Sequence, residues 1–319
     1  MVKLKIDAKD VKGFNFHPSY STGSLEDWIN FDLYVWEKEL TNGKKKFPKM
    51  NTIRIWLSWN AYCRLEERFI KEVRAVVEIC KKLGLFVIPC IFNRWHDPMI
   101  DCDGIYIDHF LPNSSWLLKY GDPFTEYVEA LAKEFKNEES ILVWDICNEP
   151  FAYNSQFPLK EVVQKYELEW LTRMSDLLRK SGVTQPLGIG STGGESMEIF
   201  GDIIDVYLTH LYYRGEPIEE FENYVKGFLE ESERNGKPLI SSECCWGSTD
   251  DKIRGELIKA SLEVFKKYNI GYVAHAMQYC GCTDLHDRCD GRLTSDIGNL
   301  CFINKDGSVR PYHEIYNEF

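Results

Sequence analysis

The chain has 319 residues, of which 44% are hydrophobic and 28% charged, and its formal net charge is −12. This balance argues against binding to nucleic acids or to anionic membrane surfaces, because both depend on clustered Lys and Arg. No apolar run reaches the roughly 18 residues of a membrane span, and the first residues lack the features of a signal peptide. The eleven cysteines are therefore expected to be reduced thiols in the cytoplasm.

In chain order, short apolar runs rich in β-branched and aromatic residues alternate with longer stretches of helical period. The sequence predicts eight strands, at residues 11–16, 52–58, 86–92, 141–147, 186–191, 204–211, 238–242 and 271–277. It predicts helices at residues 25–40, 66–83, 123–136, 160–181, 195–200, 218–235 and 251–268, and a short terminal one at 310–318. Glycines such as Gly84 and Gly236 fall where these helices should end.

Eight buried strands alternating with helices indicate an α/β fold, the (β/α)8 TIM barrel. A doubly wound sheet is the alternative, but no G-x-G-x-x-G motif follows the first strand, and eight regular units favour closure. No linker or repeat divides the chain, so residues 1–319 are predicted to form a single catalytic domain. Two long connections, residues 93–122 and 278–309, are expected at the C-terminal face, where barrels keep their active sites.

Polar and aromatic side chains, with little lysine, stand at the predicted strand ends. They are Asn15, His17, Arg54, Trp59, Asn60, Asn93, Trp95, His96, Asp97, Asn148, Glu149, His210, Tyr212, Glu243 and Trp246. Charge at the end of an apolar strand is costly unless something there uses it, and two glutamates hold equivalent positions three strands apart. Cleavage of a glycosidic bond needs one protonated and one ionised carboxyl group, and tryptophan faces stack on sugar rings. The pattern predicts a saccharide site.

Two motifs carry a resemblance to a known family. Asn148-Glu149-Pro150 after strand 4 and Ser242-Glu243 at the end of strand 7 resemble the signature of clan A retaining glycoside hydrolases. Within that clan the chain is most similar to family 5, the cellulase and β-mannanase group. Arg54 on strand 2 and His210-Leu211-Tyr212 on strand 6 match the same family, and His96 is the candidate for its histidine after strand 3.

The resemblance implies a role for each matching residue. Glu149 would be the acid/base and Glu243 the nucleophile of a double displacement, with carboxyl groups about 5–5.5 Å apart. Asn148 would bind the sugar 2-hydroxyl, Tyr212 and Arg54 would hold Glu243, and His210 would lie near Glu149. These further residues complete the expected substrate site: His96, Trp59, Trp95, Trp246 and Gln278.

Strand 8 departs from the pattern of the family. The family has a tryptophan at the end of that strand, forming the floor of the cleaved subsite, whereas here Gln278 or Tyr279 would take that place.

The resemblance as a whole implies an enzyme that cleaves β-linked gluco- or manno-type oligosaccharides. We expect it to need no cofactor and no bound metal.

Two alternatives involve a metal ion. In a metal-dependent barrel enzyme of the sugar isomerase type, Glu149, His210, Glu243 and His96 would be ligands, although Arg54 would repel the ion. Separately, Cys280, Cys282, His286 and Cys289 offer thiolate and imidazole groups for a structural metal, at a spacing that matches no common zinc motif. A non-catalytic sugar-binding barrel is the third possibility, and it should lack one of the two glutamates.

Overall fold

The computed structural model describes residues 3–94, 105, 109–111, 119, 121–151, 160–282 and 300–319. In these residues eight parallel strands form a closed barrel in chain order, with β8 pairing back to β1. The strands are β1 Lys12–Phe16, β2 Thr52–Trp56, β3 Phe86–Asn93, β4 Trp144–Asn148, β5 Leu187–Ser191, β6 Tyr207–His210, β7 Leu239–Glu243 and β8 Gly271–Ala274. The predicted (β/α)8 barrel is confirmed.

The described helices lie between the strands. The α-helices are α1 Ser24–Ile29, α2 Leu33–Lys46, α3 Trp59–Leu65, α4 Glu67–Lys82, α5 Thr125–Phe135, α6 Lys160–Lys180, α7 Ile218–Asn235 and α8 Asp251–Lys267. Short 3-10 helices lie at Ala8–Asp10, Met197–Ile203 and His313–Glu318. None of the α-helices in this part of the chain has both the length and the apolar character that crossing a bilayer requires.

The prediction of one helix over residues 25–40 is wrong. The chain forms α1, leaves the helix after Ile29 and begins α2 at Leu33. The Asp32 side chain accepts hydrogen bonds from the backbone N–H groups of Tyr34 and Val35. An N-cap of this kind satisfies donors that a new helix leaves open, so it favours a restart over a continuous helix.

Apolar side chains fill the barrel interior beneath the mouth. Ile88 on β3 is the register partner of Arg54 on β2, so both point inward. Ile88 belongs to a buried cluster with Val11, Leu142, Val143, Val206, Leu208, Ile240 and Val273. A larger buried cluster packs the strands against the helices. This separation leaves the C-terminal end of the barrel for polar groups.

Register shifts occur on the two strands that carry the glutamates. Between the pairs Asp145↔Gly188 and Asn148↔Gly190, β4 advances three residues while β5 advances two. Between the pairs Thr209↔Ser241 and His210↔Glu243, β7 advances two residues while β6 advances one. An extra residue of this kind is a β-bulge, which turns a side chain to the other face of the sheet. Both bulges lie directly before a residue of the candidate site.

A buried arginine holds the chain around the end of β8. Arg254 on α8 is fully buried and donates to the backbone carbonyls of His275, Leu300 and Cys301. It also hydrogen-bonds Nε2 of His313 at 2.9 Å. Burial lowers the pKa of Arg254 to about 10, and burial beside this guanidinium lowers the pKa of His313 to about 3. Arg254 therefore ties residue 275 to residues 300 and 301.

The start of β8 has no room for a side chain. A Cβ at Gly271 would lie 1.9 Å from the carbonyl oxygen of Ala8, a backbone atom that cannot rotate away. We expect Gly271→Ala to lower the free energy of unfolding by roughly 1–3 kcal/mol or more, as for other overpacked cores. Urea denaturation followed by circular dichroism measures the change.

Gly227→Ala is the matched control. Gly227 lies inside α7, and a Cβ there would meet no atom within 4 Å. Alanine at this position should stabilise the protein by about 0.5–1 kcal/mol, because glycine is the poorer helix former. Equal effects of the two substitutions would contradict the packing described at the start of β8.

Candidate active site

Arg54 is the hydrogen-bond centre of the barrel mouth, and it is fully buried. Its Nε and Nη2 both donate to Oδ2 of Asp145, at 2.9 and 2.7 Å. Its Nη1 donates to Oε1 of Glu243 at 2.6 Å and to Oδ1 of Asn15 at 2.9 Å. Nη2 also donates to Oδ1 of Asn148 at 2.7 Å. Since a guanidinium has five N–H groups, all of them are used and its orientation is set.

Glu243 is held ionised by the groups around it. Besides the bond from Arg54, its Oε2 accepts a hydrogen bond from the Tyr212 hydroxyl at 2.7 Å and lies 3.2 Å from Nδ1 of His275. Burial raises the pKa of the Glu243 carboxyl, but His210, His275 and Arg54 together lower it by more, so it lies well below its usual range. Burial and the Glu243 charge raise the pKa of Tyr212 well above 10, so this hydroxyl stays a donor.

Glu149 has a different environment. Its φ is 46°, in the left-handed region that side-chain-bearing residues seldom adopt, and its backbone N–H donates to the carbonyl of Gly190 at 2.7 Å. A hydrogen bond of 2.6 Å joins its Oε1 to Nδ1 of His210. The Glu149 side chain is 16% exposed, against 6% for Glu243. Glu149 is thus the carboxyl group of the pair with more access to solvent.

The two glutamates face each other across the mouth. One carboxylate oxygen of each lies within 4.8 Å of the other, and a ring nitrogen of His210 lies within the same distance of both. The sequence prediction that these three residues come together matches this arrangement.

Asn148 is oriented from both sides of its amide. Its Oδ1 accepts from Arg54, and its Nδ2 donates to Oδ1 of Asn93 at 3.0 Å. Asn93 ends β3 and is the register partner of Asn148. The side chain that the resemblance assigns to a sugar hydroxyl therefore stands beside Glu149 with a defined amide orientation.

The tryptophans predicted to stack on sugar lie in different surroundings. Trp59 is 7% exposed, its Nε1 donates to the carbonyl of Pro123, and its ring packs on Phe124. The ring predicted as a sugar platform is thus packed against residues just before α5, and little of its surface is exposed. Trp246 is only partly buried and packs against Tyr212, with the Arg214 guanidinium 4.3 Å from its ring centre.

Strand 8 presents a histidine to the site. His275, directly after β8, is near both Glu243 and the Tyr212 hydroxyl, which lies 3.2 Å from its Nδ1. Gln278 is buried and forms a backbone bridge with Ile303. Among the described residues, no hydrogen bond joins Gln278 to either glutamate. The side chain that the end of β8 brings to Glu243 is thus His275, which the sequence prediction passed over.

Two other residues were missed or left without a role. Asp145 precedes Glu149 by four positions, and nothing in the sequence reveals that it meets Arg54 across the barrel. Trp56, the last residue of β2, has the Arg54 guanidinium 4.6 Å from its ring centre and stacks on His17 at 4.5 Å. His17 in turn lies 2.7 Å from Oδ2 of the buried Asp27. The wall of the mouth beside Arg54 is therefore an aromatic pair.

Some predicted residues lie outside the described part of the chain. These are Trp95, His96, Asp97, His286 and Cys289, together with most of residues 93–122 and 278–309. Cys280 and Cys282 are described, and Cys280 is fully buried. The predictions that involve the undescribed residues stay predictions.

Glu149, His210 and Glu243 are the described residues whose donor atoms could surround a metal ion. Both oxygens of Glu243 are already engaged, one by Arg54 at 2.6 Å and the other by Tyr212 at 2.7 Å. A guanidinium at that distance repels a divalent cation. The donor set suits a hydrogen-bonded carboxylate better than a metal ligand.

Comparison with known proteins assigns the chain to a family. A barrel with two opposed glutamates at the ends of β4 and β7 has the pair of carboxyl groups that a glycoside hydrolase requires. The sequence profile of the family "Cellulase (glycosyl hydrolase family 5)" matches residues 8–281. The chain belongs to glycosyl hydrolase family 5.

Individual relatives are distant. A mannan endo-1,4-β-mannosidase from Mytilus edulis is 20% identical in an alignment 157 residues long, which covers 43% of this chain and 41% of that protein. The exo-β-1,4-mannosidase Op5Man5 from Opitutaceae bacterium strain TAV5 superposes with a TM-score of 0.71 at 17% identity, over 97% of this chain and 58% of that one. GH5_18 from Streptomyces cattleya, in complex with GlcNAc, gives 0.68 at 14% identity, over 97% and 80%. The chain thus spans less than two thirds of the first two, and the two solved structures share its fold.

Gly190 on β5 keeps the site compact, and a substitution there tests the arrangement. A Cβ at this position would lie 2.9 Å from Nη2 of Arg54 and from Oδ2 of Asp145, and 3.2 Å from Nε2 of His210. We expect Gly190→Ala to lower kcat/KM for an aryl β-glycoside on the order of a hundredfold, because misplacing a preorganised donor costs that much.

Gly194→Ala is the control. Gly194 lies shortly after β5, and the nearest atom to a Cβ there would be the Thr192 hydroxyl oxygen at 3.3 Å. Its kcat/KM should stay near that of the unsubstituted protein. Wild-type activity in Gly190→Ala would mean that Arg54 does not need its present position.

Proposed function

We propose that the chain is a retaining β-glycosidase that acts on β-linked gluco- or manno-type oligosaccharides. Glu243 is the nucleophile and Glu149 the acid/base. The observation that carries the proposal is the approach of these two carboxyl groups within 4.8 Å in opposed environments. One is buried and held ionised by Arg54 and Tyr212, while the other is more exposed and bonded to a histidine.

In the first step the glycosidic bond is exchanged for a bond to the enzyme. The carboxylate of Glu243 attacks the anomeric carbon, and Glu149 gives its proton to the leaving oxygen as the bond to the aglycone breaks. A low pKa keeps Glu243 ionised and ready to attack at neutral pH. The product of this step is a glycosyl ester on Glu243.

In the second step water releases the sugar. Glu149, now a carboxylate, takes a proton from the water as its oxygen attacks the anomeric carbon, and Glu243 departs as a carboxylate. Arg54 and Tyr212 donate hydrogen bonds to that carboxylate, so they stabilise the charge that returns to it. The exposure of Glu149 lets its proton exchange with solvent between turnovers.

The choice of sugar class is supported by the relatives and by the polar groups at the mouth. A curated relative and a solved structure bear names of β-1,4-mannosidases. Asn148, beside Glu149, is suited to bind the 2-hydroxyl, whose orientation distinguishes manno- from gluco-configured sugars. Trp246 and Tyr212 offer an aromatic wall on the side of Glu243. Aryl β-mannosides and aryl β-glucosides are therefore the first substrates to compare.

Replacement of each glutamate separates the two roles. We expect Glu243→Ala and Glu149→Ala each to lower hydrolysis of an aryl β-glycoside with a poor leaving group by a factor on the order of 10⁴ or more. With a 2,4-dinitrophenyl leaving group, Glu149→Ala should keep bond cleavage, since that group departs without a proton. Added azide should then give a β-glycosyl azide with Glu149→Ala and an α-glycosyl azide with Glu243→Ala, both identified by NMR.

Glu72→Gln is the control, because Glu72 is a buried carboxyl on α4 that pairs with Arg68 outside the barrel. It should retain activity, and circular dichroism should show all three variants folded. Wild-type rates in Glu243→Ala would contradict the assignment of Glu243 as nucleophile. A product of inverted configuration from the unsubstituted protein would contradict the retaining mechanism.

A metal-dependent reaction at Glu149, His210 and Glu243 is the second candidate, favoured by the close approach of their donor atoms. The engagement of both Glu243 oxygens weighs against it. We expect hydrolysis to keep its rate after dialysis against EDTA, measured on the same aryl glycosides. A loss that Mg²⁺, Mn²⁺ or Zn²⁺ restores would favour the metal instead.

A further inference from the structure

Asp145 is a buried carboxylate that the catalytic steps above leave without a role. It lies on β4, is fully buried, and makes its contacts inside the barrel. Its Oδ1 accepts the backbone N–H of Gly190 at 2.9 Å, and its Oδ2 accepts two hydrogen bonds from Arg54. An ionised carboxylate removed from water costs several kcal/mol unless it is paired and hydrogen-bonded. The arrangement makes Arg54 the partner of this charge.

The same guanidinium divides its donors between two carboxylates. The edge formed by Nε and Nη2 faces Asp145, and Nη1 faces Oε1 of Glu243. With both carboxylates ionised, the three side chains carry a net charge of −1, whereas Arg54 and Glu243 alone would be neutral. Asp145 thus adds one negative charge to a guanidinium that already holds Glu243.

We propose that Asp145 is a positioning residue that sets the reactivity of Glu243 through Arg54. The proposal rests on the assignment of Glu243 as nucleophile. Asp145 fixes the plane of the guanidinium, so that Nη1 points at Glu243, and it shares the positive charge, so that Glu243 stays a reactive carboxylate. Asp145 does not touch the sugar.

The effect has opposite signs in the two steps. A carboxylate held by an unshared guanidinium is more stable, which makes it a weaker nucleophile in the first step and a better leaving group in the second. Removal of the Asp145 charge should therefore slow formation of the glycosyl ester and leave its hydrolysis unchanged or faster. A loss of structure alone would slow both steps.

Other charged and titratable groups face these side chains and stay in place in the test. Around Glu243 they are Arg54 on β2, Glu149 after β4, His210 and Tyr212 at β6, and His275 after β8. Cys90 on β3 is the register partner of Asp145, and burial raises the pKa of its thiol well above 9, so it stays neutral. Loss of the Asp145 carboxylate is then the single change of charge among these groups.

The test is Asp145→Asn, which removes the charge at nearly constant volume. A 2-deoxy-2-fluoro aryl glycoside of the preferred sugar traps the glycosyl ester, and the trapping and release rates are measured separately. We expect trapping to slow on the order of tenfold to a hundredfold, with release as fast as in the unsubstituted protein or faster. Asp145→Ser removes the same charge with less bulk and should give the same pattern.

Glu167→Gln is the matched control. Glu167 on α6 is a fully buried carboxylate that accepts a hydrogen bond from Arg94 at 2.6 Å, so it is a carboxylate–guanidinium pair of the same kind. It should lower thermal stability without changing the ratio of trapping to release. Unchanged trapping in both Asp145 variants, an equal loss in both steps, or unfolding of both variants would overturn the proposal.

The site of the label separates this proposal from the proposed function. Peptide mapping of the unsubstituted protein should find the trapped sugar on Glu243. A label on another residue would overturn the assignment of the nucleophile, whatever Asp145 does. A label on Glu243 together with unchanged rates in the Asp145 variants would overturn the role of Asp145 alone.

Discussion

The structure of the mouth depends on one constraint, a guanidinium that is buried inside the barrel. Without access to water, each of its five N–H groups needs a hydrogen-bond acceptor, and its positive charge needs a negative partner. An unpaired charge there costs several kcal/mol. The acceptors come from β1, β4 and β7 and converge on Arg54 from different directions. The requirement is met only if these strands stand in the register that they adopt. Glu243 is therefore ionised and aimed by the same contacts that make the barrel interior stable.

The bulges on β4 and β7 follow from this requirement. In a regular strand, residues three apart point to opposite faces, yet Asp145 and Asn148 both bond to Arg54. The extra residue on β4 brings both into the interior, and the extra residue on β7 does the same for Glu243 opposite His210. The two strands that carry the glutamates thus have the same irregularity. At Gly190, the absence of a side chain leaves space for the side chains of Arg54, Asp145 and His210.

The sequence was informative where local pattern determines structure. Alternating strands and helices predicted the barrel, and polar residues at strand ends predicted that Arg54, Asn148, Glu149, His210, Tyr212 and Glu243 come together. The contact of Asp145 with Arg54 could not be predicted. In a regular strand Asp145 and Asn148 would point to opposite faces, and only the bulge between them lets both reach Arg54. Trp59 was assigned to the cleft because it follows a strand, but it packs against Pro123 and Phe124, more than sixty residues further along the chain. Helix 25–40 was predicted whole because apolar periodicity continues across the cap at Asp32.

Arg254 fixes the backbone of one site residue from a helix outside the barrel. Arg254, on α8, donates hydrogen bonds to the carbonyl oxygens of residues 275, 300 and 301, so it joins these two parts of the chain. These hydrogen bonds help to hold His275 beside Glu243. A helix outside the barrel thus holds the backbone that carries a side chain at its mouth, so His275 is fixed from behind as well as by its own strand.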